Sequence, residues 1–149
     1  GEVISDNENN LERHFENKKF DYIVIGEPIN LYNDPIRMIK STYTLLDKEG
    51  QLIVSLKNTK SIVTILNMMG YKIGSMGIYQ DISFDNLNII LNGNGIRIRS
   101  VAIEKYENIS DDAMALAENM VEKYANKSLD ISEIKARIYA DRFWLVIKK

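Results

Sequence analysis

Residues 20–56, FDYIVIGEPINLYNDPIRMIKSTYTLLDKEGQLIVSL, narrow the possible folds more than any other stretch of the chain. Tyr22, Ile23, Val24 and Ile25 form a continuous β-prone run, the pattern of a strand covered on both faces. Gly26 ends it. Asp34-Pro35 then reads as a helix start, with aspartate as N-cap and proline at the first helical position. Ile36, Ile39, Tyr43 and Leu46 follow at helical spacing and make one apolar face. Lys48-Glu49-Gly50 turns the chain, and Leu52 to Leu56 reads as a second buried strand. Strand, helix, strand in this order implies parallel pairing.

The remainder supplies elements of the same kind. Val3–Ile4 ends a short strand, and Leu11–Asn17 has weak helical character. Asn58 or Thr59 caps a helix carrying Ile62, Ile65, Leu66 and Met69. Glycines break the pattern between Gly70 and Gly77, which reads as a mobile loop or hairpin. Asp85 caps a helix with Leu87, Ile90 and Leu91 apolar, and Asn92-Gly93-Asn94-Gly95 is a turn. Ile96, Ile98, Val101 and Ile103 make a strand with a phase change near Ser100, the mark of a bulge. Ser110 or Asp111 opens a longer helix with Met114, Ala117, Met120 or Val121, and Tyr124 on one face. Asp130 with Glu133 resembles a capping box, and Phe143 to Ile147 is the final strand.

Composition removes several classes of function. The 149 residues fit one domain, 1–149, and at 45% hydrophobic and 27% charged they suffice for a core. The absence of cysteine excludes disulfides, thiolate metal sites and cysteine nucleophiles. His14 is the single histidine and lies in a polar segment, so no histidine-based metal site is expected. A net charge of −2 gives no pull toward nucleic acid. No apolar run approaches the ~20 residues that span a bilayer. The polar, acidic start GEVISDNENN is not a signal peptide, so a cytoplasmic location is expected. Gly1 without a preceding methionine suggests processing or a start further upstream.

Local wording points to a family. FDYIVIG followed by NDP resembles the segment FDyIifGDvLEHLxDP of class I S-adenosylmethionine-dependent methyltransferases. LLDKEGQLIVSLKN resembles the family's LLkpGGxLiiSiPN. Phe84 through Ile103 resembles its later helix–strand element, and RFWLVIKK its closing yQyiikA strand. Val3-Ile4-Ser5-Asp6-Asn7-Glu8 resembles its third strand and following turn. The version of the family with this wording sits near glycosyltransferases in bacterial glycan synthesis. The resemblance implies an α/β, partial Rossmann-like methyltransferase fold. Its sheet would be mostly parallel with an antiparallel C-terminal strand, and helices would cover both faces.

The departures bear on activity. The family's first strand feeds a G-x-G loop that meets the cofactor, and its second ends in an acid that holds the ribose. Neither is found in this sequence. The NGNG at 92–95 comes after a helix and before a strand, the reverse of a cofactor loop. Asn30 and Leu31 stand where the family has a glutamate and histidine, so a general base is lost there. Two cofactor-binding candidates remain. Asp6 matches the family residue beside the adenine ring. Glu27 sits just past a strand end, where α/β sheets place ligands. No catalytic residue is identified.

The resulting expectation is the C-terminal part of a methyltransferase-like domain, inactive on its own and without bound S-adenosylmethionine. The alternative is a non-enzymatic interaction or assembly module on the same fold, in cell-envelope glycan synthesis. Receiver-like and flavodoxin-like folds fit the order of elements after residue 80 poorly. With its neighbour strand gone, Tyr22–Ile25 is expected to be covered by the same edge of a second copy in a homodimer. An upstream segment of the same protein, or a fold-back of residues 2–5, is the other way to cover it.

Overall fold

The computed structural model describes Phe15 and residues 18–70, 79–106, 109–124 and 130–149. In chain order its elements are β1 (Phe20–Pro28), one turn of 3-10 helix (Ile29–Leu31), α1 (Pro35–Thr44), β2 (Leu46–Lys57) and α2 (Ile62–Met68). They continue with α3 (Phe84–Gly93), β3 (Ile98–Lys105), α4 (Asp111–Tyr124), α5 (Ile131–Ile138) and β4 (Ala140–Lys148). The strand expected at Val3–Ile4, the helix at Leu11–Asn17, His14 and residues 71–78 of the glycine-rich stretch lie outside the described residues.

The four strands form one sheet in the order β1-β2-β4-β3. β1 and β2 pair in parallel, with Ile23 opposite Leu52, Val24 opposite Ile53 and Ile25 opposite Val54. This is the neighbour relation that the βαβ pattern demands. β4 runs antiparallel to both β2 and β3, with Val54 opposite Leu145 and Ile103 opposite Phe143. The expectation of a mostly parallel sheet is therefore wrong: among the described residues β1–β2 is the single parallel pairing, and β2–β4 and β4–β3 are antiparallel. The reason is strand placement. β4 lies between β2 and β3 rather than at an edge, so both of its pairings are antiparallel, and β3, which runs in the same direction as β2, is not its neighbour.

Two other local readings change. β2 begins at Leu46, not at Leu52. The Lys48–Gly50 turn is a bulge inside that strand, because pairing to β1 jumps from Phe20–Leu46 to Tyr22–Gln51. Gly50 is required there. A Cβ at Gly50 would lie 2.7 Å from the Phe20 carbonyl oxygen and 3.0 Å from the backbone nitrogen of Asp47. We expect Gly50→Ala to lower unfolding stability by roughly 1–3 kcal/mol, the usual cost of overpacking against atoms that cannot yield. Gly93→Ala, where a Cβ meets nothing within 4 Å, should leave the urea midpoint unchanged or raise it. The bulge expected near Ser100 is present, as pairing passes from Ile98–Ile147 to Ser100–Val146.

Helix starts follow local chemistry, though not always at the expected residue. Asp34 caps α1 by accepting from the Arg37 amide. Ser61 caps α2, and Ser83 caps α3. Asp130 caps α5 through the Ser132 amide, and the Ser132 hydroxyl, with this amide second, lowers its pKa. Glu133 pairs with Arg137 instead of closing the box. Gly95, at φ +74°, takes the left-handed conformation that ends α3.

One face of the sheet carries the main core. Ile25, Leu52, Val54, Leu56, Phe143, Leu145 and Ile147 bury against Ile39 of α1 and Leu87 and Leu91 of α3. A second cluster joins α2 to α4, with Ile62, Val63 and Leu66 against Ala113 and Ala117. The buried residues of α4 are Ala113, Ala117 and Val121, so Ala117 and Val121 lie inward as expected and Ala113 takes the place of Met114. On the other face of the sheet, Tyr22, Val24, Ile53, Trp144 and Val146 belong to neither cluster. Ser55 on that face is buried, and Ile53, Trp144 and Val146 are half-buried.

Candidate functional site

In a parallel βα unit, ligands approach the carboxyl ends of the strands. Here that edge is built from the ends of β1, β2 and β3 and the start of β4. Pro28 closes β1, and the chain turns at once into the 3-10 helix. Asn30 in that turn is fully buried. Its Nδ2 donates to the carbonyls of Lys57 at 3.1 Å and Gln80 at 3.3 Å, and its Oδ1 accepts from the Lys57 amide at 3.1 Å. The Asn30 carbonyl accepts from the Gln80 amide at 2.8 Å. The Gln80 side chain donates to the carbonyls of Tyr32 and Asn33. One asparagine thus ties the end of β1, the end of β2 and the segment leading into α3. A buried side chain with these partners is a clamp, and it presents nothing to a ligand.

Beside it lies a polar cluster. Lys57, the last residue of β2, forms an ion pair with Asp141 at the start of β4; their side chains are 19% and 14% exposed. The Lys57 ammonium also sits 5.1 Å from the centre of the Tyr106 ring. The Tyr106 hydroxyl is 3.1 Å from Ser61 Oγ. Asn58 donates to the carbonyls of Arg137 and Ala140, fixing the junction of α5 and β4. Burial raises the Tyr106 phenol to about 12, with the Asp141 carboxylate adding to the effect. The phenol is therefore a donor, not a base, near neutrality. Among the described residues, no group of three or more His, Cys, Asp or Glu side chains is placed to hold a metal ion.

The titration of Tyr106 has a consequence at alkaline pH. The folded state keeps its proton up to about 12, whereas an ordinary tyrosine releases it near 10.0. The stability this group contributes is intact below 10.0 and disappears as pH rises through about 12. Urea unfolding across that window should show a decline that Tyr106→Phe makes shallower.

Of the two candidates from sequence, the structure describes Glu27 alone. Asp6 lies outside the described residues. Glu27 is exposed, one residue before the end of β1, and makes no hydrogen bond or ion pair with a described residue. Its side chain is exposed near the carboxyl end of β1. The sequence reading missed Lys57, Asp141, Tyr106 and Ser61. A charged residue at each end of two apolar strands was the available signal. What joins them is the antiparallel register that sets Lys57 opposite Arg142.

No protein-family model matches the chain, and no curated protein matches it. Solved structures do. A SAM-dependent methyltransferase from Archaeoglobus fulgidus superposes with a TM-score of 0.56 at 14% identity, over 99% of this chain and 67% of its own. The plantazolicin methyltransferase BamL gives 0.50 at 15% identity, over 97% of this chain and 58% of its own. A cyclopropane-fatty-acyl-phospholipid synthase-like protein from Lactobacillus casei gives 0.50 at 12% identity, over 97% of this chain and 61% of its own. At these identities the likeness shows the fold, a Rossmann-like α/β domain of the kind found in SAM-dependent methyltransferases. The chain spans between 58% and 67% of the length of these three proteins.

Proposed function

We propose that the chain is the C-terminal portion of an S-adenosylmethionine-dependent methyltransferase-like domain and has no methyltransferase activity alone. The observation that carries the reading is the superposition of essentially the whole chain on about two thirds of a SAM-dependent methyltransferase. The composition of the strand edge supports it. Asn30 is consumed by backbone contacts, Lys57 is neutralised by Asp141, and Tyr106 holds its proton. None of these is a base able to take a proton from a methyl acceptor. Glu27, with Asp6, is the residual candidate for cofactor binding, and the glycine loop and ribose acid belong to the part of the fold not in this sequence.

A second reading is a non-enzymatic interaction or assembly module, with a place in cell-envelope glycan synthesis. The buried clamp at Asn30 favours it, since a side chain locked this way stabilises the fold at the cost of a catalytic position. In either reading the location is cytoplasmic. The partner is a second copy paired through the β1 edge or an upstream segment of the same protein. Nucleic acid is not a partner for a chain of net charge −2. No helix among the described residues is long and apolar enough to cross a membrane.

Thermal unfolding tests the main reading. A ligand at ~100 times its dissociation constant stabilises the native state by about 2.7 kcal/mol. For a domain of this size that moves the midpoint by roughly 5–10 °C. We expect millimolar S-adenosylmethionine to leave the midpoint of this chain unchanged. A shift of that size would contradict the reading.

A further inference from the structure

We infer that the outer edge of β3 is a docking site for an extended acidic peptide segment of a partner protein. β3 is the last strand of the described sheet, and its inner edge is taken by β4. Every residue from Arg99 to Lys105 is exposed, so neither the outer edge nor the face on either side of it is closed over. Alternate residues of an edge strand turn their N–H and C=O groups outward, and this is the surface that strand addition uses. Val101 and Ile103 stand opposite Leu145 and Phe143, on the main-core face, yet each is 41% exposed. A strand added at this edge would extend the core face across both.

Charge selects the occupant. Arg97 and Arg99 precede the apolar pair and Lys105 follows it. All three are exposed and make no ion pair with a described residue. Glu104, the one acid of the strand, already accepts the Trp144 indole N–H at 2.7 Å. A chain of net charge −2 thus carries a positive edge. Charged side chains on an edge strand turn away copies of the same edge. A two-fold pair of β3 strands that sets Val101 against Ile103 brings Arg99 beside Lys105 at both ends, and like charges in that relation repel. A strand with apolar residues in its middle and acids at both ends meets no such conflict. Its acids lie beside Arg99 and Lys105 while its apolar residues cover Val101 and Ile103. Charge matching of this kind steers the encounter and rejects basic partners.

Two labelled synthetic peptides, EEVTVTVEE and KKVTVTVKK, test this by fluorescence anisotropy at low salt, with hydrogen exchange locating the contact. We expect the acidic peptide to bind the chain with a dissociation constant of about 100 µM or tighter. At saturation, residues 98–105 should exchange at least ~10-fold more slowly. The basic peptide should bind at least ~10-fold more weakly than the acidic one. Arg99→Glu combined with Lys105→Glu should reverse that order. Lys40→Glu combined with Lys48→Glu makes the same change of charge at exposed positions on α1 and in the first part of β2, and should leave the acidic peptide the tighter binder. Four results would overturn the proposal. They are no binding of the acidic peptide, equal binding of the two peptides, slowed exchange at 20–28 in place of 98–105, and a dimer of the chain alone that already protects 98–105.

Discussion

Asn30→Ala will lower the unfolding stability of this chain by about 3 kcal/mol, a drop of roughly 10 °C in midpoint. The side chain is fully buried. Its removal orphans the Lys57 amide and deprives the carbonyls of Lys57 and Gln80 of a donor. Each buried group left unpaired costs about 1–3 kcal/mol. Asn30→Asp will not rescue it. A carboxylate still accepts from the Lys57 amide, but it faces the two carbonyls it should donate to. Burial and those carbonyls raise the pKa of such an aspartate above its unfolded value. Its variant should therefore be more stable at mildly acid pH, where the group is protonated, and lose stability as pH rises through the folded pKa. Urea midpoints for both variants across this range check the prediction. A stability of Asn30→Asp that is flat with pH would mean that Asn30 is not held as described.

The second large effect is at the Lys57–Asp141 pair. Both side chains are mostly buried, so removing one leaves the other desolvated and unpaired. We expect Asp141→Asn and Lys57→Met each to cost about 2 kcal/mol, below the 3–5 of a fully buried pair because both retain some solvent. The double variant should cost less than the sum, since no charge is stranded. Lys57→Met also removes the cation from the Tyr106 ring, so it should be the costlier single change. Strict additivity in the cycle would show that the pair contributes nothing.

Particular residues show what was legible before the structure. The βαβ unit was readable because Tyr22–Ile25, Asp34-Pro35 and Leu52–Leu56 each obey a local rule, and nothing distant interferes. The bulge at Ser100 was readable for the same reason: it is a break of period 2 within one strand. The antiparallel direction of β4 was expected, but its place between β2 and β3 was not legible, because that depends on which distant strands it pairs with. Asn30 was legible only as a lost catalytic group. Its clamp depends on Gln80, 50 positions away. The cluster of Lys57, Ser61, Tyr106 and Asp141 is assembled from three separate segments, 57–61, 106 and 141, and no spacing in the sequence marks it. Ser61 and Ser83 took the caps expected of Asn58, Thr59 and Asp85. Asn58 has carbonyls of α5 and β4 to satisfy, and Thr59 bonds Asp81. Asp85 pairs with Arg137.

The central claim is that this chain has the later strands of a methyltransferase fold without the means to hold the cofactor. Isothermal titration of S-adenosylmethionine into the chain addresses it most directly. A ligand of this kind needs a concave site with close backbone approach and a few convergent polar groups. At the strand edge described here, the side chains of Asn30, Lys57 and Asp141 are already engaged with one another or with backbone. We expect no saturable heat up to about 1 mM, which limits binding to weaker than about −4 kcal/mol. A one-to-one isotherm with a dissociation constant in the low micromolar range would contradict the account and place a cofactor site within these 149 residues.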